Sequence, residues 1–218
     1  MKNIVDMINK YKVIAIVRGA NPQNVLSIAA ALYNGGVRLM EITFDATGKI
    51  TLEQTAEMIR AVCEKYGDKM SIGAGTVLSE KQLIYAKNAG AEYIISPNTK
   101  LPIIRKTKEL GLISIPGAMT PSECVEAQEA GADYIKLFPM ANLGISYYKA
   151  VSAPLSNIKF LAVGGVTADN LSEFLKAGVC GVGIGSDIVN MSLIKEEAYD
   201  KISEKARKYM SVVKNLEV

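Results

Sequence analysis

Short runs of apolar, β-branched residues alternate along the chain with stretches of helical spacing. The runs are KVIAIVR (12–18), RLMEITF (38–44), MSIGAGT (70–76), AEYIISP (91–97), GLISIPG (111–117), ADYIKLF (132–138), IKFLAVG (158–164) and CGVGIGS (180–186). Each is too short for a stable helix and reads as a strand. Apolar residues stand on both faces of most of them, which predicts a parallel sheet covered by helices. Between the runs, Leu52, Thr55, Ala56, Ile59 and Cys63 share one helical face, as do Leu83, Ala86 and Lys87.

The punctuation agrees. NPQN (21–24), LSEKQ (78–82), TPSE (120–123) and TADN (167–170) each place a capping residue ahead of a first turn. NGG (34–36), NAGA (88–91), EAGA (129–132) and KAGV (176–179) put a glycine where a helix exit needs a left-handed residue. Eight strand–helix units within 218 residues predict an α/β protein, a single (β/α)8 barrel over residues 1–218, rather than an open doubly wound sheet. MKNIVDMINKYK (1–12) is expected to add a short N-terminal helix that closes the barrel floor.

Composition narrows the function. Hydrophobic residues make up 49% of the chain and charged residues 22%, enough apolar material for a large core. The net charge of +3 is small and the basic residues form no run, which speaks against nucleic-acid binding. The N-terminal stretch lacks the apolar core of a secretory signal, and no run of about 18 apolar residues predicts a membrane span. Cys63, Cys124 and Cys180 lie far apart, without pairing or metal spacing, and read as buried thiols of a cytoplasmic protein. There is no histidine. Imidazole catalysis and His-based zinc sites are thereby excluded, and proton transfer falls to Glu, Asp, Lys, Tyr or water.

In such barrels, reactive groups gather at the C-terminal ends of the strands. Polar residues in those places are Arg18, Glu41, Thr43, Thr76, Ser96, Asn98 and Lys136. Lys136 stands among Ile135, Leu137 and Phe138, where a charge is costly. A free lysine leaves roughly one amine in 2,500 unprotonated at pH 7. A fall of about three pH units in its pKa would free roughly a quarter, at a cost of about 4 kcal/mol. A neutral amine attacks carbonyls and forms Schiff bases. Glu41 is also central in a strand, on one face with Leu39 and Thr43. Two readings stand: a structural ion pair between Glu41 and Lys136, or a nucleophile with its proton shuttle. AVGGVTADN and GIGSDIV offer bare amides beside helix starts, so Gly164, Gly165, Gly185 and Ser186 are candidates for an anion site. Thr76, ending GAGT, is placed for a hydrogen bond to substrate.

Taken in order, AIVRG, GGVRLMEITF, IGAGTVL, YIISPNT, IPGAMTPSE, YIKLFP, AVGGVT and GVGIGS resemble the aldolases that cleave 2-keto-3-deoxy-6-phosphogluconate (KDPG) and 4-hydroxy-2-oxoglutarate (KHG). The resemblance runs along nearly all of the chain. It implies a (β/α)8 barrel, usually a homotrimer, and a class I aldolase needing no metal or other cofactor. Lys136 would form the Schiff base with pyruvate and Glu41 would be the general acid–base. Arg18 and Thr76 would hold substrate, and Gly164, Gly165, Gly185 and Ser186 would take the phosphate. The partner implied is a small 2-keto acid.

Two positions depart from the gluconate-type pattern. Asp45 stands four residues after Glu41, where many such members carry a substrate-contacting arginine, and Val163 precedes the glycine pair where threonine is frequent. Val163 and IAIVRG look more like galactonate-type (KDPGal) members. Phosphorylation of the substrate and its C4 configuration therefore stay open. A sugar-phosphate isomerase or synthase, a non-catalytic sugar-acid-binding barrel and a carboxylate-bound magnesium aldolase stand as alternatives.

Overall fold

The computed structural model describes residues 3–216. Its elements are α1 (Ile4–Tyr11), β1 (Val13–Val17), α2 (Val25–Asn34), β2 (Leu39–Thr43), α3 (Leu52–Tyr66), β3 (Ser71–Gly75), α4 (Glu80–Asn88), β4 (Tyr93–Ile95), α5 (Leu101–Glu109) and β5 (Ile113–Ile115). They continue with β6 (Gly117–Ala118), α6 (Pro121–Glu129), β7 (Ile135–Leu137), α7 (Met140–Ser152), β8 (Phe160–Val163), α8 (Leu171–Lys176), β9 (Gly181–Ile184), α9 (Met191–Lys195) and α10 (Tyr199–Lys214).

The strands lie in one parallel sheet in the order β5-β4-β3-β2-β1-β9-β8-β7-β6. Its two ends, β5 and β6, are consecutive in the chain with Pro116 alone between them. The fifth predicted strand is therefore one strand interrupted at Pro116, which has no N–H for the ladder. Carbonyls carry the pairing across the interruption: Asp133 N–H donates to Ser114 O at 2.9 Å and Lys136 N–H to Pro116 O at 2.9 Å. The ring is thus a (β/α)8 barrel. After β9 the chain makes two helices, α9 and α10, where the repeat asks for one.

Side chains alternate between two apolar layers. Ile14, Leu39, Tyr93, Ile95, Ile115, Tyr134 and Leu161 fill the barrel interior, and Ile4 and Ile8 of α1 pack against them as the expected floor. Val13, Ala15, Met40, Ile42, Ile135 and Leu137 face the helices. Ser79 and Thr120 cap α4 and α6 in capping boxes with Gln82 and Glu123. In NPQN and TADN the asparagines instead bond to backbone within their own turns: Asn21 accepts from Gln23 N–H, and Asn170 from Thr167 N–H. The exit glycines Gly36, Gly90, Gly131 and Gly178 have φ of +92°, +94°, +101° and +104°, as expected.

Two details differ from expectation. Lys87 is exposed rather than part of the packed face of α4. Only Cys124 is fully buried, while Cys63 and Cys180 are half-buried, because both sit at the margin of a layer. Among the described residues, no helix is long and apolar enough to cross a membrane.

Candidate active site

Alternation on two strands brings the ionisable pair indoors. In β7, Ile135 and Leu137 pack toward the helices and turn Lys136 into the barrel, where it is 7% exposed. In β2, Met40 and Ile42 do the same and leave Glu41 inside at 2% exposure. The Lys136 ammonium nitrogen lies 5.0 Å from the centroid of the Phe138 ring.

The ion-pair reading fails on geometry. Among the described residues the ion pairs are Lys106–Glu109, Lys108–Asp133, Lys205–Asp187 and Lys208–Glu204. The Lys136 nitrogen and the Glu41 oxygens do not approach within 4.0 Å, and Glu41 Oε2 is buried without a hydrogen-bond partner among the described residues. The two groups nevertheless feel each other. Burial raises the Glu41 carboxyl above its ordinary value, and the charges of Lys136 and Arg18 pull it partly back. Burial lowers the Lys136 ammonium, Glu41 opposes that shift and Arg18 adds to it. Desolvation is thus the leading influence on both, and it favours a free amine beside a protonatable acid.

β3 lies next to β2 and shapes the site by what it lacks. A Cβ on Gly75 would fall 1.7 Å from Glu41 Oε1, so the carboxylate occupies space that only glycine leaves open. The next residue, Thr76, has φ +56°, a left-handed conformation that a β-branched residue adopts only under constraint.

A cavity of about 430 Å³ opens at the C-terminal ends of the strands. Arg18, Thr76, Lys136, Gly164, Gly165, Gly185 and Ser186 line it, so the expected substrate-binding residues converge with the lysine. Glu41 is buried behind that lining. Gly164 and Gly165 both have positive φ, +87° and +74°, and a Cβ on Gly165 would fall 2.4 Å from Ala141 Cα. After β9, Ile188 and Val189 N–H return to Gly185 O at 3.1 and 3.0 Å, closing a helical turn that begins beside Ser186. Asp187 also reaches the cavity, but it accepts a hydrogen bond from the Tyr209 hydroxyl and lies 3.8 Å from Lys205. Its charge is therefore drawn toward α10.

Other expected polar groups serve the scaffold. Thr43 Oγ1 donates to Val17 O at 3.3 Å and Ser96 Oγ to Val77 O at 2.7 Å. Asp45 accepts from Thr47 N–H and Lys49 N–H at 2.8 Å and from Ile50 N–H at 3.0 Å. Those backbone donors, with the Thr47 hydroxyl, hold its carboxyl at about 2. Its charge is spent on its own loop, and it does not line the cavity. Sequence reasoning did not single out Ile16, Pro97, Phe138 or Met191, which line the cavity with apolar surface. Beside strand ends such residues look like ordinary core, and only their position at the mouth marks them.

Comparison with known proteins matches this geometry. Residues 4–205 match the family model for KDPG and KHG aldolase. The chain is 35% identical over 205 residues to the 2-dehydro-3-deoxy-6-phosphogalactonate aldolase of Escherichia coli K12, covering 94% of this chain and 97% of that one. It is 32% identical over 188 residues to the KHG/KDPG aldolase of the same organism, covering 85% and 84%. Among solved structures, a native KDPGal structure superposes with TM-score 0.85 at 34% identity over 94% of this chain and 96% of that one. The KDPG aldolase of Legionella pneumophila, solved with pyruvate captured as a covalent carbinolamine, superposes with TM-score 0.84 at 27% identity over 94% and 97%. With the barrel, the inward lysine and glutamate and a family match over nearly its whole length, the chain belongs to the KDPG and KHG aldolase family.

Proposed function

We propose that this protein is a class I aldolase that cleaves a 2-keto-3-deoxy-6-phospho sugar acid, or 4-hydroxy-2-oxoglutarate, to pyruvate and an aldehyde. The observation that carries the reading is a buried lysine, in no ion pair among the described residues, lining a cavity next to a buried carboxylate. The Lys136 amine adds to the C2 ketone, giving a carbinolamine that loses water to an iminium. Glu41, directly or through a water, removes the proton of the C4 hydroxyl. The C3–C4 bond breaks, its electron pair passes into the iminium, and the aldehyde leaves. Glu41 returns the proton to C3 of the enamine, and hydrolysis frees pyruvate and the amine. The chemistry draws on the protein's own amine and needs no metal.

Arg18 suits the substrate carboxylate, since its fork fits two oxygens. Thr76 lines the cavity and would donate to the substrate, and the amides around Gly164, Gly165, Gly185 and Ser186 suit a phosphate. Asp45 keeps its charge, but its carboxylate is bonded to its own loop and does not line the cavity, so a phosphorylated substrate is the reading we favour. The relatives named for 6-phosphogalactonate and for KHG/KDPG set the panel to be tried. A cytoplasmic homotrimer completes the proposal, and light scattering on the purified protein tests the assembly.

Borohydride reduction in the presence of pyruvate tests the chemistry. Intact mass is expected to show one pyruvate-derived adduct mapping to Lys136, absent in Lys136→Ala. Glu41→Gln is expected to keep the adduct and lose about 10²–10⁴ in turnover. Wild-type protein without an adduct would leave an isomerase or a binding barrel as the better reading.

A further inference from the structure

Two glycines of β3 each make room for a side chain from a neighbouring strand. Glu41 reaches over Gly75 from β2, and a Cβ on Gly73 would fall 2.1 Å from Cε2 and 2.5 Å from Cζ of Tyr93 in β4. The three strands are in register at this level, with Glu41 opposite Gly73 and Gly73 opposite Tyr93. Gly73 and Gly75 are two residues apart and face the same side of the sheet. The carboxylate and the phenol therefore lean over one strand from its two flanks. Each ends in a buried oxygen with no hydrogen-bond partner among the described residues: Glu41 Oε2 and the Tyr93 hydroxyl. Tyr93 is 0% exposed. Buried polar atoms in native proteins are nearly always paired, so two orphans over the same strand invite a common explanation.

We propose that Tyr93 is a positioning residue for the proton shuttle, its hydroxyl donating to Glu41 Oε2 across one water. The assignment rests on the aldolase reading of Glu41. A phenol donor bonds the charged carboxylate better than the neutral acid. It therefore works against burial and keeps a share of Glu41 ionised for the cleavage step. It also fixes one carboxylate oxygen and leaves the other for the substrate. The charges around the pair are few. Glu41 faces Lys136 from β7 and Arg18 from the end of β1, while Tyr93 senses Glu41, its chain neighbour Glu92, and Cys63 of α3. Burial, and then the Glu41 charge, hold the Tyr93 phenol well above its ordinary value, so it stays a proton donor across the working range.

Tyr93→Phe tests this, because it removes one oxygen and leaves the ring in the Gly73 slot. The readouts are the pH profile of kcat/KM for cleavage and the yield of the borohydride-trapped pyruvate adduct. Tyr134→Phe is the control. The Tyr134 hydroxyl is also buried and unpartnered, but the acidic groups near it are Cys180, Asp133 and Asp6, not Glu41. In Tyr93→Phe the acid limb is expected to move up by about one pH unit with the adduct yield retained, and in Tyr134→Phe it should not move. An unmoved limb in Tyr93→Phe, or the same displacement in both variants, overturns the assignment while leaving the aldolase reading intact. Failure of the wild type to trap pyruvate removes both.

Discussion

The Glu41 carboxylate reaches from β2 across β3 and fills the place of a side chain at Gly75, its Oε1 1.7 Å from where a Cβ would stand. The position of the proposed proton shuttle depends on a missing methyl group. Gly75→Ala is expected to push the carboxylate off its position while Lys136, four strands from Glu41 around the ring, stays in place. Turnover should fall by about 100-fold, the scale of an ångström misplacement. Pyruvate trapping at Lys136 should persist. Measuring kcat and adduct mass on one preparation separates the two effects, and a wild-type kcat would count against the role given to Glu41.

Lys136 is held at a cost to stability. Its ammonium is lowered from the ordinary value of 10.5, chiefly by burial. Between the native and unfolded values the unfolded chain binds more protons, so this group makes stability rise with pH through that window. Lys136→Met removes the penalty along with the chemistry. Its Tm is expected to exceed that of wild type by about 2–4 °C at pH 7, with the gap narrowing as the pH approaches about 10.4. Calorimetry across that range checks the sign, and a gap that widens with pH would refute it.

Asp45 makes the opposite prediction on the acid side. Its backbone donors hold it at about 2, below the ordinary 3.8. A depressed carboxyl contributes stability that is complete above its unfolded value and is lost as pH falls from about 4 toward about 2. Asp45→Ala is expected to lower Tm at pH 7 and to expose the 45–50 loop to proteolysis. Its deficit against wild type should close below about pH 4. A deficit that is unchanged at pH 3 would mean that the loop does not depend on this charge.

Much of the barrel was legible because its signals are local. Period-two alternation set Glu41 on one face with Leu39 and Thr43, and the exit glycines marked the helix ends. Pro116 was visible too, but its effect depends on carbonyls of neighbouring residues meeting Asp133 and Lys136 across the ring. The candidate site was legible where a polar residue interrupted an apolar run, as at Lys136, although Thr43 and Ser96 gave the same signal and bond to the scaffold. It was not where the lining is apolar, as at Phe138 and Met191, because a residue at a cavity mouth has the composition of core. Asp45 shows a third limit. It stands where many relatives carry a substrate-contacting arginine, and only the fold shows its carboxylate turned to the donors of its own loop.

Thr76 combines a constrained backbone with a place in the cavity wall, and the two properties can be tested together. Its φ of +56° is costly for a β-branched residue, about 1–3 kcal/mol. Glycine relieves that strain but loses about 0.5–1 kcal/mol to the greater freedom of the unfolded chain. Thr76→Gly is therefore expected to be neutral or more stable by about 1 kcal/mol. It also removes the hydroxyl proposed to hold the substrate, so KM should rise about 5- to 10-fold, the scale of one lost hydrogen bond. Thr76→Ser keeps the hydroxyl and lightens the branching, and should recover most of the affinity. Denaturant unfolding together with steady-state kinetics on the three proteins decides the matter. A destabilised Thr76→Gly with an unchanged KM would assign the residue to the turn and not to the substrate.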